Sequence, residues 1–144
     1  MLKNGKLGFS LIELMIVVAV IAILAAIAYP SYIQYKLRTN RADVESEMMR
    51  VAQRLQSYKA VNFNYTSATL TGVGGIATYP SASPVFNLTL TTAAQTWTLT
   101  ATPISTSIQK DDGALTITHT GTQCWYKGKD SPTALDTCSA WSGK

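Results

Sequence analysis

Phe9-Ser-Leu-Ile-Glu-Leu-Met-Ile-Val-Val-Ala-Val-Ile-Ala-Ile-Leu-Ala-Ala-Ile-Ala-Tyr29 is the stretch on which the reading of this chain turns. Of its 21 residues only Ser10 and Glu13 are strongly polar, and about 20 apolar residues suffice for a helix to cross a bilayer. From Leu14 to Ala28 the run is apolar all round, as expected of a helix surrounded by lipid or by other apolar helices. Glu13 interrupts it. A carboxylate in that setting costs on the order of a few kcal/mol and so calls for a partner.

On the N-terminal side lies Met1-Leu-Lys-Asn-Gly-Lys-Leu-Gly8, a short basic leader. A secretory signal would be cut after its apolar region at a small-x-small site, and Ala26-Ile27-Ala28 offers one. That cut would discard the whole apolar run. Glu13 within the run, and the unbroken helical composition beyond Ala28, speak for retention instead.

On the C-terminal side, Val44, Met48, Val51, Leu55 and Tyr58 recur at spacings of 4, 3, 4 and 3, one apolar stripe on a helix. Arg41, Glu45, Arg50 and Arg54 decorate the remaining faces. A helix from Phe9 to about Tyr58 would extend ~75 Å at 1.5 Å per residue. Pro30 has no amide hydrogen for the carbonyl of Ala26, so either the helix kinks there or a second helix starts there. Asn62 through Pro84 reads as an irregular loop. Three alternating segments follow, Phe86–Thr91, Trp97–Ala101 and Leu115–Ile117, each apolar on one face and threonine-rich or polar on the other. They predict three or four antiparallel strands whose apolar face covers the helix stripe. The fold class is therefore α+β, a long N-terminal helix packed in its second half on a small antiparallel sheet.

The 144 residues hold 12 Lys and Arg against 8 Asp and Glu, a net charge of +4. Most of the excess lies in residues 36–59, where six cations face Asp43, Glu45 and Glu47, whereas residues 60–144 balance four lysines with four aspartates. Global charge thus gives no argument for nucleic acid. Cys124 and Cys138 follow an export segment, which makes a disulfide the natural reading, with two buried thiols as the alternative. Two Cys and the lone His119 are too few for a metal site. Oxidised cysteines also place the C-terminal part outside the cytoplasm, which the cations on both sides of the apolar run leave open.

The junction Gly8-Phe9-Ser10-Leu11-Ile12-Glu13-Leu14 resembles the cleavage and methylation signature of type IV pilins and of the related type II secretion pseudopilins. The resemblance implies that prepilin peptidase cuts between Gly8 and Phe9 and methylates the new Phe9 amine. It implies that the apolar segment first anchors the subunit in the inner membrane and then packs in the core of a fibre. Glu13 would meet a Phe9 amine during assembly. The order of elements resembles type IVa pilins along the whole length, with residues 1–8 as leader, 9–30 as membrane and fibre-core helix and 31–144 as globular domain. Trp97-Thr-Leu-Thr-Ala-Thr-Pro103, Gln109, Asp112-Gly-Ala-Leu-Thr116 and Gly121 are similar to minor pilins of the PilE and ComP type, which include fibre-initiation subunits and a receptor for DNA uptake.

The resemblance therefore implies a structural pilus subunit without enzymatic activity, catalytic residues, metal or cofactor. Its partners would be other pilins, prepilin peptidase, the inner-membrane assembly platform and, before assembly, the membrane itself. A pilus-surface DNA receptor and a secretion pseudopilin are the alternatives. For the receptor, Trp125, Lys127 and Lys129 combine an aromatic ring with cations, the pairing that binds bases and phosphates. The competing reading makes Trp125 and Trp141 covers for the core and the lysines a solvated rim. Gly72-Val-Gly-Gly-Ile-Ala77 fits a dinucleotide pattern but lacks the strand-to-helix setting and reads as a flexible loop. Asp111-Asp112-Gly113 reads as a turn with solvated carboxylates.

Overall fold

The computed structural model describes residues 8–141; most of the leader, with Lys3 and Lys6, lies outside the described residues. One helix, α1, spans Leu11–Asn62, and five strands follow: β1 Thr78–Tyr79, β2 Phe86–Thr92, β3 Trp97–Pro103, β4 Leu115–Thr118 and β5 Gln123–Trp125. The chain divides into two compact units, one up to Lys36 and one from Leu37 onward.

In the first unit, Ser10 starts the helix. Its hydroxyl accepts a hydrogen bond from the Glu13 amide at 3.2 Å, and its carbonyl accepts one from the Leu14 amide at 3.3 Å, which satisfies donors that every helix start leaves open. The helix continues through Pro30 without a break, so no second helix starts there. Within this unit the apolar side chains from Phe9 to Ile27 are all exposed, the least exposed of the large ones, Val17, at 46%.

The second unit owns the core. Val44, Met48, Val51 and Leu55 of α1 are fully buried against the sheet. Each such side chain contributes roughly 1.5–3 kcal/mol by leaving water. The strands run antiparallel in the order β1-β2-β3-β4-β5. Register sorts their two faces. Leu88, Ala101, Leu115 and Trp125 lie opposite one another across four strands and face inward, while Thr89, Thr100, Thr116 and Cys124 form the next rung on the outer face. Leu99 sits in the middle strand with Leu90 and Ile117 on either side and no exposed surface, so Leu99→Ala should cost about 2–5 kcal/mol through the cavity left behind.

The expected three or four strands become five, because β1 and β5 have only two and three residues, too few for alternation to register. The loop expected from Asn62 to Pro84 is interrupted by β1, and Asn62 itself closes α1; the rest is irregular but not loose. Tyr65, Ala68 and Val73 are buried in the core, and Arg50 and Arg54 donate to the carbonyls of Val73 and Gly74 at 3.1–3.3 Å. Gly74, at φ 71°, has the Arg54 guanidinium where a Cβ would sit. The glycine-rich pattern is therefore a clasped loop and not a phosphate cradle.

Candidate functional site

Two places carry the residues singled out from sequence: the helix start and the cysteine-closed C-terminal loop. At the first, Gly8 and Phe9 precede the helix, and Phe9 is 80% exposed. A Cβ on Gly8 would meet nothing within 4 Å, so the fold itself does not require glycine there. Glu13 stands in the first turn with its side chain exposed. Ser10 and Glu13 also have the S-x-x-E spacing of a helix-capping pair. The spacing alone signals that role for Ser10.

At the second, Cys124 and Cys138 are joined, with their Cα atoms 5.0 Å apart. The bond closes residues 124–138 over the outer face of the sheet. Beyond it the chain returns along β5, where Trp125 and Ser139 exchange two backbone hydrogen bonds of 2.7 and 3.0 Å, and the Trp141 indole donates to the Cys124 carbonyl at 3.0 Å. Closing such a loop contributes about 3 kcal/mol by restricting the unfolded chain. Within it the Asp136 carboxyl is held below its ordinary pKa by the Thr133 backbone amide and hydroxyl, which donate to it at 2.6 and 2.9 Å.

The inward side of β5 is polar where least expected. The Arg41 guanidinium lies 3.6 Å from the centroid of the Trp125 ring and makes a two-pronged ion pair with Asp112, at 3.0 and 2.6 Å. Asp112 also accepts from the Gln109 amide at 2.7 Å, and its carbonyl accepts the Trp125 indole N–H at 3.0 Å. Gln109, fully buried, reaches the Leu37 carbonyl and receives the Asn40 amide. This network ties α1, the β3–β4 connection and β5 together. Both charges are nearly buried, their side chains 12% and 8% exposed, and burial without a partner would be costly. Asp112 is thus a structural ion-pair partner rather than the solvated turn carboxylate expected from sequence.

The lysine turn is built on the same support. The Asp130 carboxylate accepts the backbone amides of Asp111 and Gly113 at 2.8 and 3.0 Å, and the amides of Ala114, Tyr126 and Gly128 bond across to Lys129, Ala114 and Asp112. Gly113, at φ 107°, leaves room for the Tyr126 carbonyl 2.1 Å from where a Cβ would be, so no larger residue fits. Lys127 and Lys129 project into solvent from this turn. Trp125 does not join them as a stacking surface: it is 7% exposed, with Arg41 on its ring and the Lys127 ammonium 6.0 Å from the centroid. His119 is half-buried in the turn after β4 and its backbone amide bonds to Trp97.

The family model described as type IV minor pilin ComP, DNA uptake sequence receptor, matches residues 30–122. The chain belongs to this minor pilin family. The prokaryotic N-terminal methylation motif matches residues 3–29, over the leader and the apolar run. Among solved structures, the non-core minor pilin PilV of Neisseria meningitidis shares the fold, with a TM-score of 0.54 at 18% identity, covering 74% of this chain and 97% of that one. No curated protein matches the chain. As a type IV minor pilin with this motif, the protein is a pilus subunit that assembles with other pilins and is processed by prepilin peptidase, and its family and fold are structural rather than enzymatic.

Proposed function

We propose that this minor pilin is cut between Gly8 and Phe9, methylated on Phe9, held in the inner membrane by residues 9–30 with its C-terminal domain in the periplasm, and then drawn by the assembly platform into an extracellular fibre. The observation that carries this reading is a helix whose apolar side chains from Phe9 to Ile27 are all exposed while one face of its second half is buried in a complete domain. Exchange of lipid for neighbouring helices keeps those side chains out of water in both settings. Glu13 is the assembly residue, its carboxylate pairing with a Phe9 amine inside the helical bundle. At 4 Å and an effective dielectric of 20 the raw attraction is ~4 kcal/mol before desolvation. Pro30 is where the fibre-core helix bends. Mass spectrometry of subunits from sheared pili tests the proposal. It should find a chain that lacks residues 1–8 and begins with N-methylated Phe9. A mature start at Tyr29 would contradict it.

A second reading is favoured by the description of the matching family as a DNA-uptake-sequence receptor: the subunit would display a DNA-binding surface at the pilus. Lys127 and Lys129, exposed on a turn fixed by Asp130, are its candidate phosphate contacts. The soluble domain should then bind duplex DNA with an affinity that falls as salt rises, and Lys127→Ala with Lys129→Ala should flatten that dependence. Tight binding in ~0.15 M salt, or preference for one short sequence, would put the receptor role first. Binding unchanged by the double substitution would remove these lysines from it.

A further inference from the structure

The apolar run ends in a different kind of exposed surface. Tyr29, Tyr32 and Tyr35 are 69%, 58% and 69% exposed in the first compact unit, and Lys36 follows them. Spaced three residues apart at 100° per residue, the three rings spread over about a third of the helix circumference and about 9 Å of its length. The length of what precedes them matters. From Leu11, where α1 starts, to Ala28 the helix rises ~27 Å, and Phe9 and Ser10 ahead of it bring the length to the ~30 Å of a bilayer's hydrocarbon core. With Phe9 at one boundary, Tyr29 falls at the other, and the next two tyrosines fall in the headgroup layer, which is several Å deep. Rings with an apolar body and a hydroxyl tip are favoured at that depth, and a lysine beyond them meets lipid phosphates.

We propose that Tyr29, Tyr32, Tyr35 and Lys36 form an interfacial girdle that binds the phospholipid headgroup layer and sets the depth of the unassembled subunit in the membrane. This rests on the membrane-held stage proposed above. The girdle distinguishes the end of the span from its middle: Leu14 through Ala28 has no polar atom outside the backbone and one thioether, and could slide by a residue or two at little cost, whereas the girdle cannot enter the hydrocarbon without burying three hydroxyls. It therefore holds Phe9, with its new amine, at the opposite boundary.

The test uses the full chain reconstituted in vesicles of phosphatidylethanolamine and phosphatidylglycerol, with a nitroxide on Ala26→Cys, the native cysteines being paired. Electron paramagnetic resonance then reads the depth of the label. Tyr29→Ala, Tyr32→Ala and Tyr35→Ala together should shift the label by about 3 Å or more, equal to two residues of helix rise, or split it into several depths. The three corresponding Trp substitutions should leave it in place. Lys36→Gln should weaken the dependence of depth on phosphatidylglycerol content. An unchanged, single depth in the triple Ala variant would overturn the girdle. Failure of the unaltered chain to insert would instead overturn the membrane-held stage on which it depends, and the two failures are read from different samples.

Discussion

The two halves of α1 are made from similar residues and meet opposite fates. Ile12, Ile16, Ile23 and Ile27 stand open, whereas Val44, Met48, Val51 and Leu55 have no exposed surface. Hydrophobicity alone does not separate them; the stripe does. Val44, Met48, Val51 and Leu55 of the second half occupy one face and find the sheet, while apolar residues of the first half cover every face and exceed what one sheet could bury. An exposed apolar surface of this extent marks an interaction site. If the exposed half serves assembly as proposed, folding and assembly fall to different halves of one helix, and substitutions should sort cleanly between them.

The largest effect should come from removing the first half. A chain starting near Ser31 should stay folded and monomeric, its thermal melt close to that of the full-length protein in detergent, and be absent from fibres. Aggregation or loss of the melting transition would show that the domain leans on the apolar half. Next comes Asp112→Ala, which leaves Arg41 buried without its partner at a cost of about 3 kcal/mol or more, a fall in melting temperature of roughly 10 °C. Arg41→Ala combined with it should cost less than the sum of the two, since one interaction is lost twice. Cys124→Ser with Cys138→Ser should cost about 2–4 kcal/mol, read by denaturant titration with and without reductant.

A smaller effect, of opposite sign, is expected at Glu45. Its half-buried carboxyl is raised above the ordinary 4.5 by loss of solvent, with Arg41 opposing, and its Oε1 atom has no hydrogen-bond partner. A carboxyl with a raised folded pKa holds its proton more tightly in the native state. Its charged form is therefore penalised above that pKa, and the penalty fades as pH falls toward 4.5. Glu45→Gln should stabilise the domain at neutral pH, by no more than about 1 kcal/mol given its exposure, with the gain vanishing near pH 4. Equal gains at both pH values would place the effect in packing rather than charge.

How much of this was legible beforehand depends on the residue. The helix stripe and the alternating strands announced themselves because burial imposes periods of 3.6 and 2 on long segments. The ion-pair network did not, since charge by itself points a residue to the outer face. Yet Leu37, Arg41 and Val44 continue the spacing of 4 and 3 that marks the stripe, so Arg41 lies in the apolar face and must be partnered. What sequence could not supply was which of Asp111, Asp112, Asp130 and Asp136 would meet it. That depends on the β3–β4 turn, where Gly113 admits the Tyr126 carbonyl and brings the two loops together. Trp125 was ambiguous for the same reason, because its burial is decided by Arg41 across the fold.

The most direct test of the division is Glu13→Val, counted by quantitative mass spectrometry in sheared fibres and in the membrane fraction of the same cells. Glu13 lies in the exposed half, far from the core in sequence, and removing its carboxylate takes away the partner proposed for the Phe9 amine while making the apolar run more apolar. The account predicts a subunit that is cleaved, methylated and retained in the membrane at wild-type level, with an unchanged thermal melt, yet reduced at least tenfold in the fibre, the factor that corresponds to about 1.4 kcal/mol. Wild-type incorporation of the Val variant would contradict it.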